Sequence, residues 1–417
     1  MKVADPEVLI VGGGLAGLCC GIELQKSHIP FKILEADDQI GGRVQTDVVD
    51  GFLLDRGFQV LLSAYPECRR MLDYEALKLR RFYPGALIWF KGRFHRITDP
   101  WRQPFSALKT VFSPIGTLND KIRISRLRRK TTSGTLDSLF EHPETSTLLA
   151  IKEMGFSDGM IDRFFKPFFG GVFLDRSLET SSRMLEFTFR MFSTGNTVIP
   201  EQGMGQIPKQ LASHIPSDAI QTQTAVRTVK PHTVELSCGE VLSANAVVVA
   251  TEGHRSAKLI DGFPEVNGRS ATCLYFAADK SPVSEPVLIL NGENQGVINN
   301  LCVPSVVSPT YSAGNSALIS VTVLGNPDQD DKVLEESVRE HLSEWFGLDV
   351  RYWQHLRTYR IQHALPQVHP PALTPPQRPI KLEAGLYVCG DHRDTPSVHG
   401  AMVSGRRTAE VIVKDLR

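Results

Sequence analysis

The chain has 417 residues, 41% hydrophobic and 22% charged, an ordinary globular composition but too long for one compact core. Its 46 basic residues balance 46 acidic ones, so no global field would draw it to nucleic acid. The seven cysteines are scattered without a CxxC pair, which disfavours a disulfide framework or a metal site and fits a reducing, cytoplasmic setting.

No apolar run approaches the ~20 residues of a membrane-spanning helix, and no basic stretch precedes the first apolar run. The expectation is a soluble or peripherally attached protein without a signal peptide.

Residues 8–11 read as a buried strand. Gly12, Gly13 and Gly14 follow, and a helical pattern over 15–27 starts directly behind them. Gly12-x-Gly14-x-x-Gly17 between a strand and a helix suits a dinucleotide. Gly12 permits a tight turn, Gly14 lets a pyrophosphate approach bare backbone, and Gly17 lets helix and strand pack closely. The first helical turn, with Leu15 and Ala16, offers unpaired N–H groups to the phosphates. A second strand, 31–34, leads to Glu35, eighteen residues past Gly17, with Ala36 beside it. An acid there accepts from ribose hydroxyls and disfavours a 2′-phosphate. Gly41-Gly42-Arg43 then supplies a second glycine turn and a guanidinium for the diphosphate.

The middle of the chain is mixed. Residues 82–97 and 163–174 are rich in aromatics and read as core plus a lid, or as an apolar tunnel. The stretch 101–169 looks helical. Within it, KIRISRLRRK (121–130) carries six basic residues and no acid, with Ile122, Ile124 and Leu127 at helical spacing. Such a helix rests on an anionic membrane or is a solvated face. Strands are expected at 224–229, 233–237 and 246–250, and more within 270–325. Lys280 stands in FAADKSP, as a catalytic lysine or a solvated turn residue. His363, Pro366 and Gln367 sit in a stretch that either lines a cavity or packs. The proline-rich 369–379 reads as a semi-rigid, solvated connector. A strand over 386–389 and a helix from about 400 close the chain.

Several of these segments resemble the flavin amine oxidase superfamily, on its phytoene/carotenoid desaturase and protoporphyrinogen oxidase side. Asp55-Arg56-Gly57-Phe58-Gln59, then Ser63-Ala64-Tyr65-Pro66, is similar to the acid-x-Gly and AYP segments of plant-type desaturases. IPEQGMGQIPKQLA (199–212) is similar to a P-x-G-G-M stretch, with Gln202 in place of a glycine. GLYVCGDHRDTPSVHGAMVSGRR, from residue 385, is similar to the family's G-D … S-I-N-G-A-x-x-S-G-R.

The resemblance implies an α/β fold. A Rossmann-type FAD domain would be assembled from 1–60, 195–255 and 366–417. A mixed α+β substrate domain with a helical lid would occupy 61–194 and 256–365. It places Gly57, Phe58 and Gln59 near the cofactor, Val226 at the adenine, and Thr251 at the end of the VVxAT strand. Gly390 and Asp391 would approach the diphosphate and ribityl chain. Ser397, Val398 and Ala401 would start a helix whose positive end faces flavin N1 and C2=O, where reduced flavin carries charge. His399 replaces the family's asparagine. The FAD is expected to be non-covalent, because Thr395-Pro396-Ser397 stands where monoamine oxidases carry a tethering cysteine.

The activity implied is hydride removal from C–C or C–N bonds of a largely apolar small molecule, with oxygen or a quinone as final acceptor. An amine oxidase producing peroxide and a redox-neutral flavoprotein (isomerase or scaffold) are the alternatives. No catalytic residue is fixed; His399, Lys280 and His363 are the candidates.

Overall fold

The computed structural model describes residues 6–104 and 113–417. Short runs of valine, isoleucine and leucine build a six-stranded sheet in the order Ile220–Gln221, Phe31–Leu34, Val8–Val11, Ala246–Val249, Leu386–Val388, Lys381–Glu383. All neighbours are parallel except the last pair. Its strands come from three separated stretches of chain.

Parallel strands must be covered on both faces, and alternation along Val8–Val11 shows how. Val8 and Ile10 meet the main core with the helix Leu15–Lys26. Leu9 and Val11 meet Val226, Val229, Val234 and Leu236 of a small antiparallel sheet, Val226–Lys230, Thr233–Leu236 and Val241–Ser243. The last of those strands follows the Cys238-Gly239 turn and was not expected. The terminal helix Val398–Leu416 packs on the first helix. Gly405 makes this possible: a Cβ there would lie 2.1 Å from the Ala16 carbonyl oxygen.

A seven-stranded sheet forms the second layer, in the order Gln354–Pro366, Gly268–Ala278, Ala317–Leu324, Asn300–Cys302, Leu288–Asn291, Gly85–Phe90, Arg93–Thr98. Cys273, Tyr275, Cys302 and Leu318 turn toward the main core. Leu274, Phe276, Leu301 and Ile319 turn the other way, onto Leu334, Val338, Leu342 and Trp345 of the helix Asp331–Phe346. The aromatic stretch 82–97 is mostly a hairpin of this sheet, with Trp89 and Phe94 packed on Trp345.

Helices fill the rest: Leu118–Thr132, Thr147–Glu153, Lys166–Phe173 and Ser182–Thr194. A π-helical turn, Ile161–Phe165, leads into the third. Phe165, Phe169 and Phe173 are buried there, whereas Phe164 and Phe168 are only partly covered.

The connector 369–379 is largely solvated, with six of its eleven residues exposed, but Leu373 is wholly buried, and Arg183 and Arg378 donate to the Leu373 and Ala372 carbonyls. Guanidinium donors replace the water that its backbone would otherwise need. The apolar residues of the basic helix do not share one face. Leu127 is 2% exposed and Ile122 48%; at 100° per residue, five positions set them about 140° apart.

Candidate cofactor and active site

The glycines of the first turn have separate duties. Gly12 has φ +111°, and a Cβ would lie 3.0 Å from the Ala250 carbonyl oxygen. A Cβ on Gly17 would lie 2.0 Å from the Gly12 carbonyl oxygen. Both therefore serve packing. Gly14 differs, because nothing lies within 4 Å of its missing side chain. The open ground there, beside the first turn of a 12-residue helix with Leu15 and Ala16, fits a diphosphate.

Glu35 is buried at the end of its strand. Its Oε2 accepts from Gly13 N at 2.6 Å and its Oε1 from Asp37 N at 3.0 Å. A carboxylate has about four acceptor positions, so capacity remains for ribose hydroxyls. Ala36 beside it is exposed. Gln223 N and Thr224 N donate to the Asp37 and Glu35 carbonyls, which brings the start of the Val226 strand to the same end of the sheet.

The second glycine turn backs onto the first. Gly41 N donates to the Gly13 carbonyl at 2.9 Å, and exposed Gly42, φ +57°, would put a Cβ 3.5 Å from Gly14 Cα. Arg43 then meets residues more than 300 positions downstream. Its Nη2 pairs with Asp391 Oδ1 at 2.8 Å and its Nη1 donates to the Ala364 carbonyl at 2.9 Å. Gln59 Nε2 braces it by donating to the Arg43 carbonyl at 2.7 Å. Gly57, φ +89°, lies under Ile361, and Phe58 packs edge-on against Phe82.

From the other end of the chain, Gly390 N donates to Ser404 Oγ at 2.9 Å, and Ser404 Oγ donates back to the Gly390 carbonyl at 2.8 Å. The terminal helix thus holds Asp391 in place. Ser397 caps that helix by accepting from Gly400 N at 3.0 Å, and Ala401 N donates to the Ser397 carbonyl. A Cβ on Gly400 would lie 1.9 Å from the Thr395 carbonyl oxygen, so the helix starts where only glycine fits. Val398 is half-buried in its first turn. Thr251, at the end of its strand, shares a hydrogen bond with Ser256 at 3.0 Å. Gly14, Gly42, Arg43 and Asp391 therefore share one locality, although they come from opposite ends of the sequence.

The three catalytic candidates separate. His399 is buried between Tyr65 and Phe187, with ring centroids 5.6 and 5.7 Å away. Its Nδ1 accepts from Glu67 N at 3.3 Å. Burial, helped by Arg406, lowers its pKa to about 4, so the ring is neutral with its proton on Nε2. His363 stacks on His254 with centroids 4.0 Å apart. The pair lines a crevice with Arg43, Glu252, Leu365, Pro366 and Asp391, and His363 Nδ1 there is buried without a partner. Lys280 lies exposed beyond the end of strand Gly268–Ala278, whereas Gly268, at the other end of that strand, contacts His363. Eleven strand residues at ~3.3 Å each keep them apart. This exposed position beyond the strand end matches the solvated-turn alternative for Lys280.

Asp55 has a role that its motif did not reveal. Its Oδ1 accepts from Thr46 Oγ1 at 2.5 Å and Met204 N at 2.9 Å, and its Oδ2 accepts from Tyr311 OH at 2.8 Å. It joins the glycine turn at 203–205 to Tyr311, more than a hundred residues downstream. Burial outweighs these bonds and raises its pKa to about 6. His392 was also missed. It is 2% exposed and neither ring nitrogen has a partner. Its pKa falls to about 4, chiefly through burial. Nothing in the sequence marked it beyond adjacency to Asp391. The cysteines are all free, and only Cys238 is exposed.

Comparison with known proteins identifies the family. The family model described as flavin containing amine oxidoreductase matches residues 15–413. Among curated relatives, protoporphyrinogen oxidase 2 of Arabidopsis thaliana is 25% identical over 41% of this chain and 33% of its own length. Polyamine oxidase 2 of the same plant is 42% identical over 14% of this chain and 12% of its own length. These alignments span a third or less of either relative. An oxidoreductase structure from Methanosarcina mazei superimposes with a TM-score of 0.76 at 18% identity, over 97% of this chain and 99% of that one.

Proposed function

The chain belongs to the family of flavin-containing amine oxidoreductases, and from that premise we propose that it oxidises a C–C or C–N bond of a largely apolar small molecule, taking hydride from a C–H bond and leaving C=C or C=N once a proton is lost. It is an FAD-dependent oxidoreductase; bound FAD supplies the hydride acceptor. We place the diphosphate at Gly14, Gly42 and Arg43, the ribose at Glu35, and the ribityl chain at Asp391.

The observation that carries this reading is the Arg43–Asp391 pair at 2.8 Å beside the open ground at Gly14. Two distant motifs meet beside a glycine whose missing side chain leaves the backbone open to a ligand. The Ser397-capped helix presents first-turn N–H groups, including that of Val398, where negative charge would develop. Non-covalent attachment is favoured because Cys389 is buried in the sheet and Thr395, Pro396 and Ser397 hold no thiol.

Polarity around the reacting region supports an apolar substrate. His399 is neutral, and its Nδ1 is occupied by Glu67 N, so it offers no base at that atom. Tyr65 and Phe187 are buried against it and exclude water. If His399 supplies no base, the reaction suits a donor that delocalises its own positive charge. The exposure of Lys280 favours its reading as a turn residue over that of an amine-oxidising lysine.

Anaerobic mixing with a carotene, a porphyrinogen and a panel of amines tests the proposal. Bleaching of flavin absorbance by a polyene or porphyrinogen is expected. Bleaching by amines alone makes the protein an amine oxidase. Absence of bleaching by any donor supports a redox-neutral flavoprotein.

A further inference from the structure

The helix Leu118–Thr132 has two faces of opposite character. Leu127, Thr131 and Asp120 are buried, and the helix packs there against Ser182–Thr194. Leu118, Ile122, Ser125, Arg126 and Arg129 are all exposed. Spacings of four, seven, eight and eleven residues put these five within an arc of about 100°. Leu118 is 63% and Ile122 48% exposed. Arg126 and Arg129 make no ion pair with any described residue, whereas Arg123, Arg128 and Lys130 are engaged with Asp120, Asp99 and Glu186. The one acid of the helix, Asp120, is buried in its capping box with Thr117. Trp101, 46% exposed, lies under Arg128 with the guanidinium 4.6 Å from its ring.

We propose that this face docks on an anionic lipid surface, with Leu118, Ile122 and Trp101 entering the headgroup region and Arg126 and Arg129 meeting lipid phosphates. The charge alone would also suit a polynucleotide. Two outward aliphatic side chains in line with the arginines, and an exposed indole beside them, favour a bilayer. The position fits as well. Arg163 Nη1 donates to the Pro114 carbonyl at 2.7 Å, and Ile115 packs with Phe164 and Phe168. The helix start is thus fastened to the phenylalanine-rich helix, so a docked face would hold the partly covered phenylalanines near the membrane. The proposal does not depend on the identity of the substrate.

Flotation of the full-length FAD-loaded protein with phosphatidylcholine vesicles, with and without phosphatidylglycerol, tests it. Binding is expected only to the anionic vesicles and should fall with added salt. Arg126→Glu/Arg129→Glu should lower the partition coefficient about tenfold or more, since each basic residue near such a surface is worth ~1 kcal/mol. Ile122→Glu should lower it several-fold. Flavin absorbance and melting temperature should stay unchanged in both variants, because all three side chains are exposed. Failure of the wild type to float, equal binding by the double variant, or tighter binding to single-stranded DNA than to vesicles each overturns the proposal.

Discussion

Asp55→Asn isolates one buried charge. The wild-type carboxyl is 4% exposed and its pKa rises from 3.8 to about 6. That displacement corresponds to about 3 kcal/mol between the two protonation states. The native state holds the proton more tightly than the unfolded chain, so it binds more protons between these two values. Stability contributed by Asp55 is therefore greatest in acid and is lost as pH rises through about 4 to 6, with about 2 kcal/mol gone between pH 4 and pH 7. Asparagine keeps the shape and an acceptor but does not titrate. Urea unfolding of both proteins at several pH values between 4 and 7 reads the effect. Other titrating groups cancel in the difference between the two curves. The variant should gain on the wild type as pH rises, by about 2 kcal/mol in total. A flat difference, or one of opposite sign, would refute the argument that burial outweighs the three hydrogen bonds.

Three further outcomes are expected. Gly14→Asp meets open space, so the apoprotein should melt as the wild type does, yet a carboxylate facing a diphosphate should cost about 3 kcal/mol, over a hundredfold in FAD affinity, measured by fluorescence titration. His399→Phe keeps the ring stack but orphans Glu67 N–H, at a cost of about 1–2 kcal/mol at pH 7. Because the pKa of wild-type His399 is lowered to about 4, the wild type loses stability as pH falls from about 6.5 toward 4, and the variant should recover ground in that window, seen in the same urea curves. A thiol reagent should titrate one cysteine quickly in the folded protein, Cys238, and all seven in denaturant.

Much of the cofactor site was legible because its signals are local. Gly12, Gly17, Gly41 and Gly57 sit where positive φ or close contact demands glycine, and such demands leave a spacing in the sequence. Glu35 was legible because the strand before it has a clear apolar edge. The pairing of Arg43 with Asp391 was not, since nothing local joins two residues at opposite ends of a chain. The same applies to Asp55, whose partners Thr46, Met204 and Tyr311 come from three segments. The order of the seven-stranded sheet was also hidden, because the hairpin at 85–98 joins strands more than 180 residues downstream. The connector 369–379 is mostly exposed, as its prolines suggested, but nothing in its composition singled out Leu373 for the core. The apolar stripe of the basic helix failed for a different reason: three residues near one spacing still straddle two faces.

The contact of Gly405 with Ala16 has a consequence for biosynthesis. The amino-terminal turn leaves the ribosome early, but the helix that clamps it is among the last pieces made. Through most of synthesis the nascent chain carries half a cradle, with valine-rich strands awaiting their neighbour. On the proposed placement of the cofactor, flavin capture would be a closing event of maturation, and trimming the final two dozen residues is expected to yield a colourless polypeptide.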